Sequence, residues 1–210
     1  MTYIENVLIC MASPLLIAAL CMGKRQTKFF LFCFAGMGAC LLSAYINTFL
    51  TAIYEADAFA ATVEIAPVVE EGMKLLPLLF YLLVFEPQAR QIGIAAVITA
   101  LSFATFENIC YLIQNGAAHF SFIFFRGIGT GAMHVICGAI VGGGLAYVWR
   151  RTWLKIAGTC GLLGAAITFH AIYNLLIAYG GTAQYIAYLL PVGILAAGKL
   201  IARYLKAEES

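Results

Sequence analysis

Residues 65–85 read IAPVVEEGMKLLPLLFYLLVF, an apolar run that also carries three charged side chains, Glu70, Glu71 and Lys74. A hydrocarbon core of about 30 Å needs roughly 20 residues of α-helix to cross it. A charge at the centre of that core costs roughly 2.5–3.5 kcal/mol on insertion scales, so such charges normally face other helices and are paired. The stretch therefore predicts a membrane-spanning helix whose charged side chains face the interior of a helix bundle.

The composition of the whole chain extends this prediction to all 210 residues. Apolar residues make up 63% and charged residues 10%, whereas soluble domains have about 45–50% and about 25%. The net charge is only +2 and no basic run exceeds two residues, so no nucleic-acid partner is expected. The seven cysteines lie in apolar stretches without CxxC spacing and are interpreted as small core residues. We expect an all-α, polytopic membrane protein in the lipid bilayer.

Apolar stretches between polar interruptions predict seven spans within one integral membrane domain, residues 1–210. The first is expected to be a retained helix, because Glu5 stands where a signal peptide would be basic. The acidic connection 54–64 is interpreted as a solvated linker, with a cap over the outer entrance, or a site for a substrate ectodomain, as the alternatives. The predicted spans are 3–22, 29–53, 65–85, 92–114, 126–149, 156–179 and 185–204.

Basic residues accumulate at alternate connections, whereas the connections on the opposite side hold the acidic residues Glu55, Asp57 and Glu64. By the positive-inside rule, the basic ends are cytoplasmic and the N-terminus is outside. The basic residues that follow this pattern are Lys24, Arg25, Lys28, Arg90, Arg150, Arg151, Lys155, Lys199, Arg203 and Lys206. Lys74 and Arg126 do not follow it, because they fall within or at the edge of a predicted span.

Four successive spans of alternating direction place their polar residues at one depth. At 1.5 Å per residue, these groups lie about 5–15 Å below the outer surface. Chance would scatter them, so a shared polar site is predicted. Its members are Glu70, Glu71 and Lys74 on the third span, Glu107 and Asn108 on the fourth, Arg126 and His134 on the fifth, and His170 and Asn174 on the sixth.

The third span arranges its charges in a way that suits a reaction centre. Lys74 is one helical turn from both Glu70 and Glu71 and can pair with either carboxylate. The two carboxylates point about 100° apart, so one can face a reaction centre while the other holds a neighbouring group. Pro67 and Pro77 flank them and predict a kinked or opened helix. An ion pair that only fixes helix packing is the alternative.

This set of residues permits hydrolysis of an amide bond. Crowded carboxyl groups at low dielectric cannot all ionise unless Lys74, Arg126 or a metal ion offsets their charge. A glutamate base, with a histidine and a donor for the developing oxyanion, is sufficient for hydrolysis. Alternatively Glu107, His134 and His170 can hold Zn²⁺ with one open position, although no HExxH motif is present. The sequence leaves open whether the cofactor is Zn²⁺ or none.

Glycines surround His134 on its own helical face. They stand at positions −7, −3, +4 and +8 from the histidine, namely Gly127, Gly131, Gly138 and Gly142. Such a stripe permits close approach of another backbone. Tight packing against a second helix is favoured, and a channel for an extended peptide is the alternative.

Four motifs together resemble the PrsW family of intramembrane proteases. They are Glu70-Glu71-x-x-Lys74, Phe103-x-x-x-Glu107-Asn108, the segment from Arg126 to His134, and His170-x-x-x-Asn174. The resemblance covers spans three to six. The family is similar to the CAAX prenyl endopeptidase and bacteriocin-processing group, which typically has EExxxR and FxxxH. Here Leu75 follows Lys74, and Glu107 replaces the histidine, which favours PrsW.

The resemblance implies a bacterial plasma-membrane protease that makes the first, extracytoplasmic cut in a single-span anti-sigma factor during envelope stress. It implies catalytic roles for Glu70, Glu71, Glu107, His134 and His170, with Lys74, Asn108, Arg126 and Asn174 in support. Glu70 is favoured as the base, with Glu71 and Lys74 supporting it. The resemblance does not distinguish a glutamate-type from a metal-dependent hydrolase, and it gives no oligomeric state.

Two other classes of function remain as alternatives. Buried glutamates and histidines also form relays in proton- or ion-coupled transporters, which would need polar residues that reach both surfaces. A non-catalytic membrane scaffold would tolerate removal of the charges in the layer.

Overall fold

The structure is a computed structural model that describes residues 3–116 and 119–208. In this part of the chain every regular element is helical, which confirms the predicted all-α bundle. Each of the seven predicted spans corresponds to one long helix. These are α1 (Ile4–Cys21), α2 (Lys24–Ile53), α3 (Ala66–Phe85), α4 (Ala89–Asn115), α5 (Phe120–Val148), α6 (Lys155–Tyr179) and α7 (Gly181–Glu208).

Six of these helices, all except α3, are long and apolar enough to cross a membrane. Helix α3 has 20 residues, but it carries the charged groups Glu70, Glu71 and Lys74. Glu71 and Lys74 are buried inside the bundle, whereas apolar side chains such as Phe80 and Leu83 of the same helix are exposed. The helix is therefore polar towards its neighbours and apolar outside, as expected for a helix surrounded by other helices and lipid.

The acidic connection 54–64 is a loop only in its first half. The Asp57 side chain accepts a hydrogen bond from the Ala60 amide and caps a helical turn over Ala58–Ala60. A π-helical turn, Ala61–Ile65, then continues into α3. The second half of the connection is therefore helical rather than an irregular linker, although residues such as Phe59 and Glu64 are exposed, as expected for a solvated segment.

The π turn leaves one carbonyl oxygen available for a contact with another helix. The Ala66 amide donates to the Ala61 carbonyl, five residues back. The next residue, Pro67, has no N–H, so it cannot donate to the carbonyl of Thr62. That carbonyl accepts instead from the Asn174 side chain of α6 at 2.9 Å. Pro67 thereby connects the beginning of α3 to α6.

Helix α5 begins at Phe120, six residues before the start predicted at Arg126. The sequence placed the boundary at the first charged residue. In the structure, the Arg126 guanidinium donates to Asn108 and lies over the Tyr111 ring, 3.6 Å from its centroid. Because α4 satisfies this charge, the helix can extend on both sides of it.

Helices α4 and α5 approach each other most closely through small residues. A Cβ at Gly138 would lie 2.9 Å from the Ala96 carbonyl oxygen and 2.8 Å from the Ala100 Cβ. Gly142 also contacts Ala96. The expected tight helix packing is therefore found at these two glycines. A Cβ at Gly127 or Gly131 would meet no atom within 4 Å, so the stripe is not packed along its whole length.

Candidate active site

The polar side chains predicted from four helices meet in one cluster between α3, α4, α5 and α6. Glu71, Lys74, His134 and His170 are all at most 5% exposed. The rings of His134 and His170 are 5.0 Å apart between centroids, edge to face. Glu70 and Glu107 border the same cluster, with side chains 13% and 28% exposed. The structure thus brings together the five residues for which catalytic roles were expected.

Glu71 is the acceptor at the centre of the cluster. Its Oε1 accepts from Lys74 Nζ at 2.5 Å and from His170 Nδ1 at 2.8 Å. When a carboxylate accepts a hydrogen bond from one ring nitrogen of a histidine, it fixes the orientation of the ring. In the neutral ring, the other nitrogen then carries the lone pair. Glu71 therefore orients the His170 ring, and in the neutral tautomer that donates from Nδ1 the lone pair is on Nε2, which faces Glu70.

Lys74 connects the first histidine to the second. Its ammonium group also lies 2.7 Å from His134 Nδ1. An ammonium has no lone pair and can only donate, so His134 Nδ1 accepts and the ring proton is on Nε2. Phe103 covers this pair, because its ring centroid lies 4.8 Å from Lys74 Nζ and 5.1 Å from the His134 ring. Phe103, four residues before Glu107, thus shields the buried Lys74 ammonium group and its partner His134.

Glu107 accepts a hydrogen bond from His134. Its Oε2 lies 2.7 Å from His134 Nε2, and its Oε1 is 3.5 Å from the Arg126 guanidinium. Arg126 also donates to the Asn108 Oδ1 at 2.5 Å. Asn108 therefore positions Arg126 rather than joining the histidines. One carboxylate oxygen of Glu107 contacts the cluster and the other faces the arginine.

Glu70 differs from the other two carboxylates. Its Oε2 is buried and has no hydrogen-bond partner among the described residues. The nearest basic atom is His170 Nε2 at 3.8 Å, too far for a hydrogen bond. Lys74 and Arg126, the two cations of the site, contact Glu71 and Glu107 instead. Glu70 is thus the acid whose pairing the protein leaves incomplete.

A cavity of about 690 Å³ leads to this cluster. Glu70, Glu107 and His170 line its floor, and Asn174 lines its side. It continues towards the ends of α2 and α4, where Thr51 and Gln114 line it. On the opposite side of the cluster, Leu75, Leu78 and Val141 are buried in an apolar core. The polar space therefore reaches one end of the bundle, the end of the 54–57 loop.

Several lining residues were not anticipated from the sequence. Asn47, Thr48 and Thr51 enter from α2, a helix outside the four motif helices. Tyr173 and Thr130, whose hydroxyl groups are 3.0 Å apart, form part of another wall. An asparagine inside a long apolar helix is a recognisable signal, because its amide must find a partner. Tyrosines are too common in membrane helices to stand out.

One arrangement of donor atoms is suited to a metal ion. Glu70, His134 and His170 each offer an atom, and the three atoms lie within 4.8 Å of one another. The unpartnered Glu70 oxygen and the His170 Nε2 lone pair are free donors. Because Lys74 donates to Nδ1, the ring proton of His134 is on Nε2. A metal ion at that nitrogen would displace the proton to solvent, and Glu107 would stay ionised. This group differs by one residue from the set expected from the sequence, because Glu70 takes the place of Glu107.

Comparison with known families places the chain in one of them. Residues 24–197 match the model of the PrsW family, described as intramembrane metalloproteases. The match includes α2 to α6 and most of α7, and therefore every residue of the cluster. No curated protein and no solved structure matches the chain.

Proposed function

Because the chain belongs to the PrsW family of intramembrane metalloproteases, we propose that its Glu/His cluster hydrolyses a peptide bond in a single-span membrane protein. Membership places the chain among membrane-embedded hydrolases that act on membrane proteins. The observation that carries the proposal is the group formed by Glu70, His134 and His170. Glu70 and His170 of this group line a cavity that is large enough for a peptide segment, and His134 is buried next to them.

Hydrolysis needs a group that accepts a proton from water and then returns one. A divalent ion held by Glu70, His134 and His170 would supply Lewis acidity and make a water molecule more acidic. Glu107 is then the carboxylate left to accept the proton, at its Oε1. As water oxygen bonds to the carbonyl carbon, Glu107 takes one water proton and later gives it to the nitrogen of the breaking C–N bond. The products are a carboxylic acid and an amine.

The remaining charged residues hold these groups in place. Glu71 orients His170, and Lys74 neutralises Glu71 while it fixes the tautomer of His134. Arg126 lines the cavity beside Glu107 and can donate to the carbonyl oxygen as negative charge develops there. In the metal-free form of the mechanism, Glu70 is the base and its free oxygen holds the water.

We further propose that cleavage occurs near the outer face of a bacterial plasma membrane and is the first cut of an anti-sigma factor. The outer location is supported by the distribution of charge. The cavity opens at the end that carries Glu55 and Asp57, whereas Arg90, Arg150 and Lys155 lie at the other end. The anti-sigma substrate is supported only by the resemblance of the motifs.

The structure does not favour the transporter. A relay across the membrane needs polar groups or water that reach both surfaces. Here the apolar core formed by Leu75, Leu78 and Val141 lies directly beyond the histidines. A cavity that opens to one side suits hydrolysis better than transport.

The direct test is cleavage in a bilayer. The purified protein is reconstituted in vesicles with a library of single-span peptides that are randomised around the outer end of the span, and the products are identified by mass spectrometry. Glu70→Gln, Glu107→Gln and His170→Ala should each lower the cleavage rate at least about 100-fold. Glu64→Gln, an exposed carboxylate just before α3, is the matched control. Wild-type rates in all three site variants would refute the assignment.

A further inference from the structure

Helix α2 contributes polar side chains to the cavity although it supplies none of the clustered acids and histidines. Asn47, Thr48 and Thr51 line the space opposite α6. Asn47 also lines a second cavity of about 180 Å³, which adjoins the first at Glu70 and Glu107. The polar side of α2 therefore faces the reaction centre across the cavity.

Asn47 is unusual because part of its amide is unused. Its Oδ1 is buried and has no hydrogen-bond partner in the part of the chain that the structure describes. An unpaired amide inside an apolar helix is costly, since the membrane offers no replacement partner. Glu70 Oε2 is the other buried, unpartnered atom that borders this cavity. The proposed hydrolysis assigns the Glu70 oxygen to a metal ion or to the water, so the Asn47 oxygen is the one left for the substrate.

A protease substrate brings unpaired backbone groups into such a cavity. Hydrolysis needs access to a carbonyl carbon, and an extended segment exposes that carbon together with its own N–H and C=O groups. At membrane depth each unpaired group is costly. The helices around the cavity use their own backbone groups internally, so they offer no free strand edge. Side-chain amides and hydroxyl groups must therefore pair with the substrate backbone.

The spacing of α2 residues fits an extended chain. Asn47 and Thr51 are four residues apart, so they are separated by about 6 Å along the helix. Backbone groups on one edge of an extended peptide repeat every two residues, at about 6.6 Å. An amide offers both a donor and an acceptor, which match the C=O and N–H of a peptide. The Thr48 hydroxyl, in contrast, donates to the Ala44 carbonyl of its own helix at 2.8 Å.

We propose that Asn47 and Thr51 form a substrate-docking wall, which hydrogen-bonds the backbone of the extended substrate segment and holds it over the Glu/His cluster. This inference rests on the proposed protease function and specifies how that site binds its substrate. Because the wall binds backbone groups, it favours substrates whose cleaved segment is readily unwound over substrates of one particular sequence.

The test compares Asn47→Leu with Thr105→Val in the reconstituted cleavage assay, because Thr105 is exposed, its hydroxyl donates to a carbonyl of its own helix, and it lines neither cavity. Asn47→Leu should lower kcat/KM roughly 10- to 100-fold, mainly through a higher KM, because the substrate loses its hydrogen bonds to the amide. Thr105→Val should cleave at the wild-type rate. The thermal midpoint of Asn47→Leu should not fall, because the unpaired amide oxygen gives up no internal bond. A fall in the midpoint that accounts for the lost activity would indicate a structural role and overturn the proposal.

Photo-crosslinking provides a measurement that does not depend on cleavage. With p-benzoylphenylalanine in place of Asn47 and with Glu107→Gln to prevent turnover, illumination should capture the single-span peptides. If the peptides are captured but the wild-type protein does not cleave them, the result would contradict the protease function and support the docking wall. If Asn47→Leu cleaves at the wild-type rate and no peptide is captured, the result would contradict the docking wall and leave the protease function supported.

Discussion

Lys74 is the buried cation that compensates the negative charge of Glu71 at the centre of the site. It is 5% exposed, and its ammonium group lies within 2.7 Å of both Glu71 and His134. A buried ion pair is strongly destabilised when one partner is removed, because the other charge remains without compensation. Lys74 therefore contributes to the folded state as well as to the orientation of the histidine.

Replacement of this lysine should be costly to stability. Lys74→Met should lower the free energy of unfolding by about 3–5 kcal/mol, because the Glu71 carboxylate remains buried and unpaired. Chemical or thermal unfolding in detergent measures the change. The double variant Glu71→Gln/Lys74→Met should recover part of the loss, since it removes both charges. Lys28→Met, at an exposed lysine, should change the free energy by less than about 1 kcal/mol. A fully stable Lys74→Met protein would contradict the ion-pair interpretation.

The incomplete pairing of Glu70 leads to a prediction about metal content. The purified protein should contain about one zinc ion per chain, because one carboxylate and two imidazoles form a typical catalytic zinc site. Elemental analysis should show that Glu70→Gln and His170→Ala lose most of the ion while Glu64→Gln keeps it. A chelator should remove zinc and activity together. Full activity of protein that contains no metal would instead support Glu70 as the base of a metal-free hydrolase.

At the scale of elements, small residues and one proline determine how the helices meet. Gly138 and Gly142 let α5 approach α4, which places His134 against Phe103 and Glu107. Pro67 frees the Thr62 carbonyl, which ties the beginning of α3 to Asn174 of α6. Each contact lies within a few turns of the cluster, so packing errors there should displace the site.

Alanine substitutions at the two ends of the glycine stripe, Gly127–Gly131 and Gly138–Gly142, should have different effects on stability. Gly138→Ala forces a methyl group against the backbone of α4 and should cost about 1–3 kcal/mol of stability, with a loss of cleavage. Gly131→Ala places its methyl group in open space and should keep or slightly raise stability, since alanine favours helix by about 0.5–1 kcal/mol. Unfolding in detergent compares the two variants. Equal effects would show that the close α4–α5 contact does not limit stability.

At the scale of the whole molecule, the polar cavity opens at one end of an otherwise apolar bundle. Large apolar side chains such as Leu20, Phe80 and Ile156 are exposed on its outside. The acidic loop residues and the basic connections lie at opposite ends of the helices. The positive-inside rule places the basic end in the cytoplasm. Substrates would therefore reach the cluster from the extracytoplasmic side.

Cysteine labelling tests this orientation. In a variant without its seven native cysteines, Glu55→Cys should react with a membrane-impermeant maleimide in intact cells. Arg90→Cys should react only after the membrane is permeabilised, because the positive-inside rule predicts a cytoplasmic location for its connection. The opposite pattern would reverse the topology and place cleavage at the inner face.

The sequence by itself determined the helices and predicted that their polar residues share one layer. Length and apolarity are local properties of a segment. Because a buried charge is costly in the membrane, residues such as Glu71 and His134 can be recognised as candidate site residues in an otherwise apolar sequence. Boundaries were less accurate where another helix satisfies a charge, as at Arg126, or where an acidic stretch begins a helix, as at Asp57.

Only the tertiary structure decided how these groups pair. Helical periodicity places a side chain on a face, but the rotation of that face and its neighbours depend on contacts such as Gly138 against Ala96. Glu107 Oε2 then lies 2.7 Å from His134 Nε2, whereas Glu70 Oε2 lies 3.8 Å from His170 Nε2 and remains without a partner. The entry of Asn47 from α2 depends on the same packing, because its position in the sequence is remote from every residue that it faces.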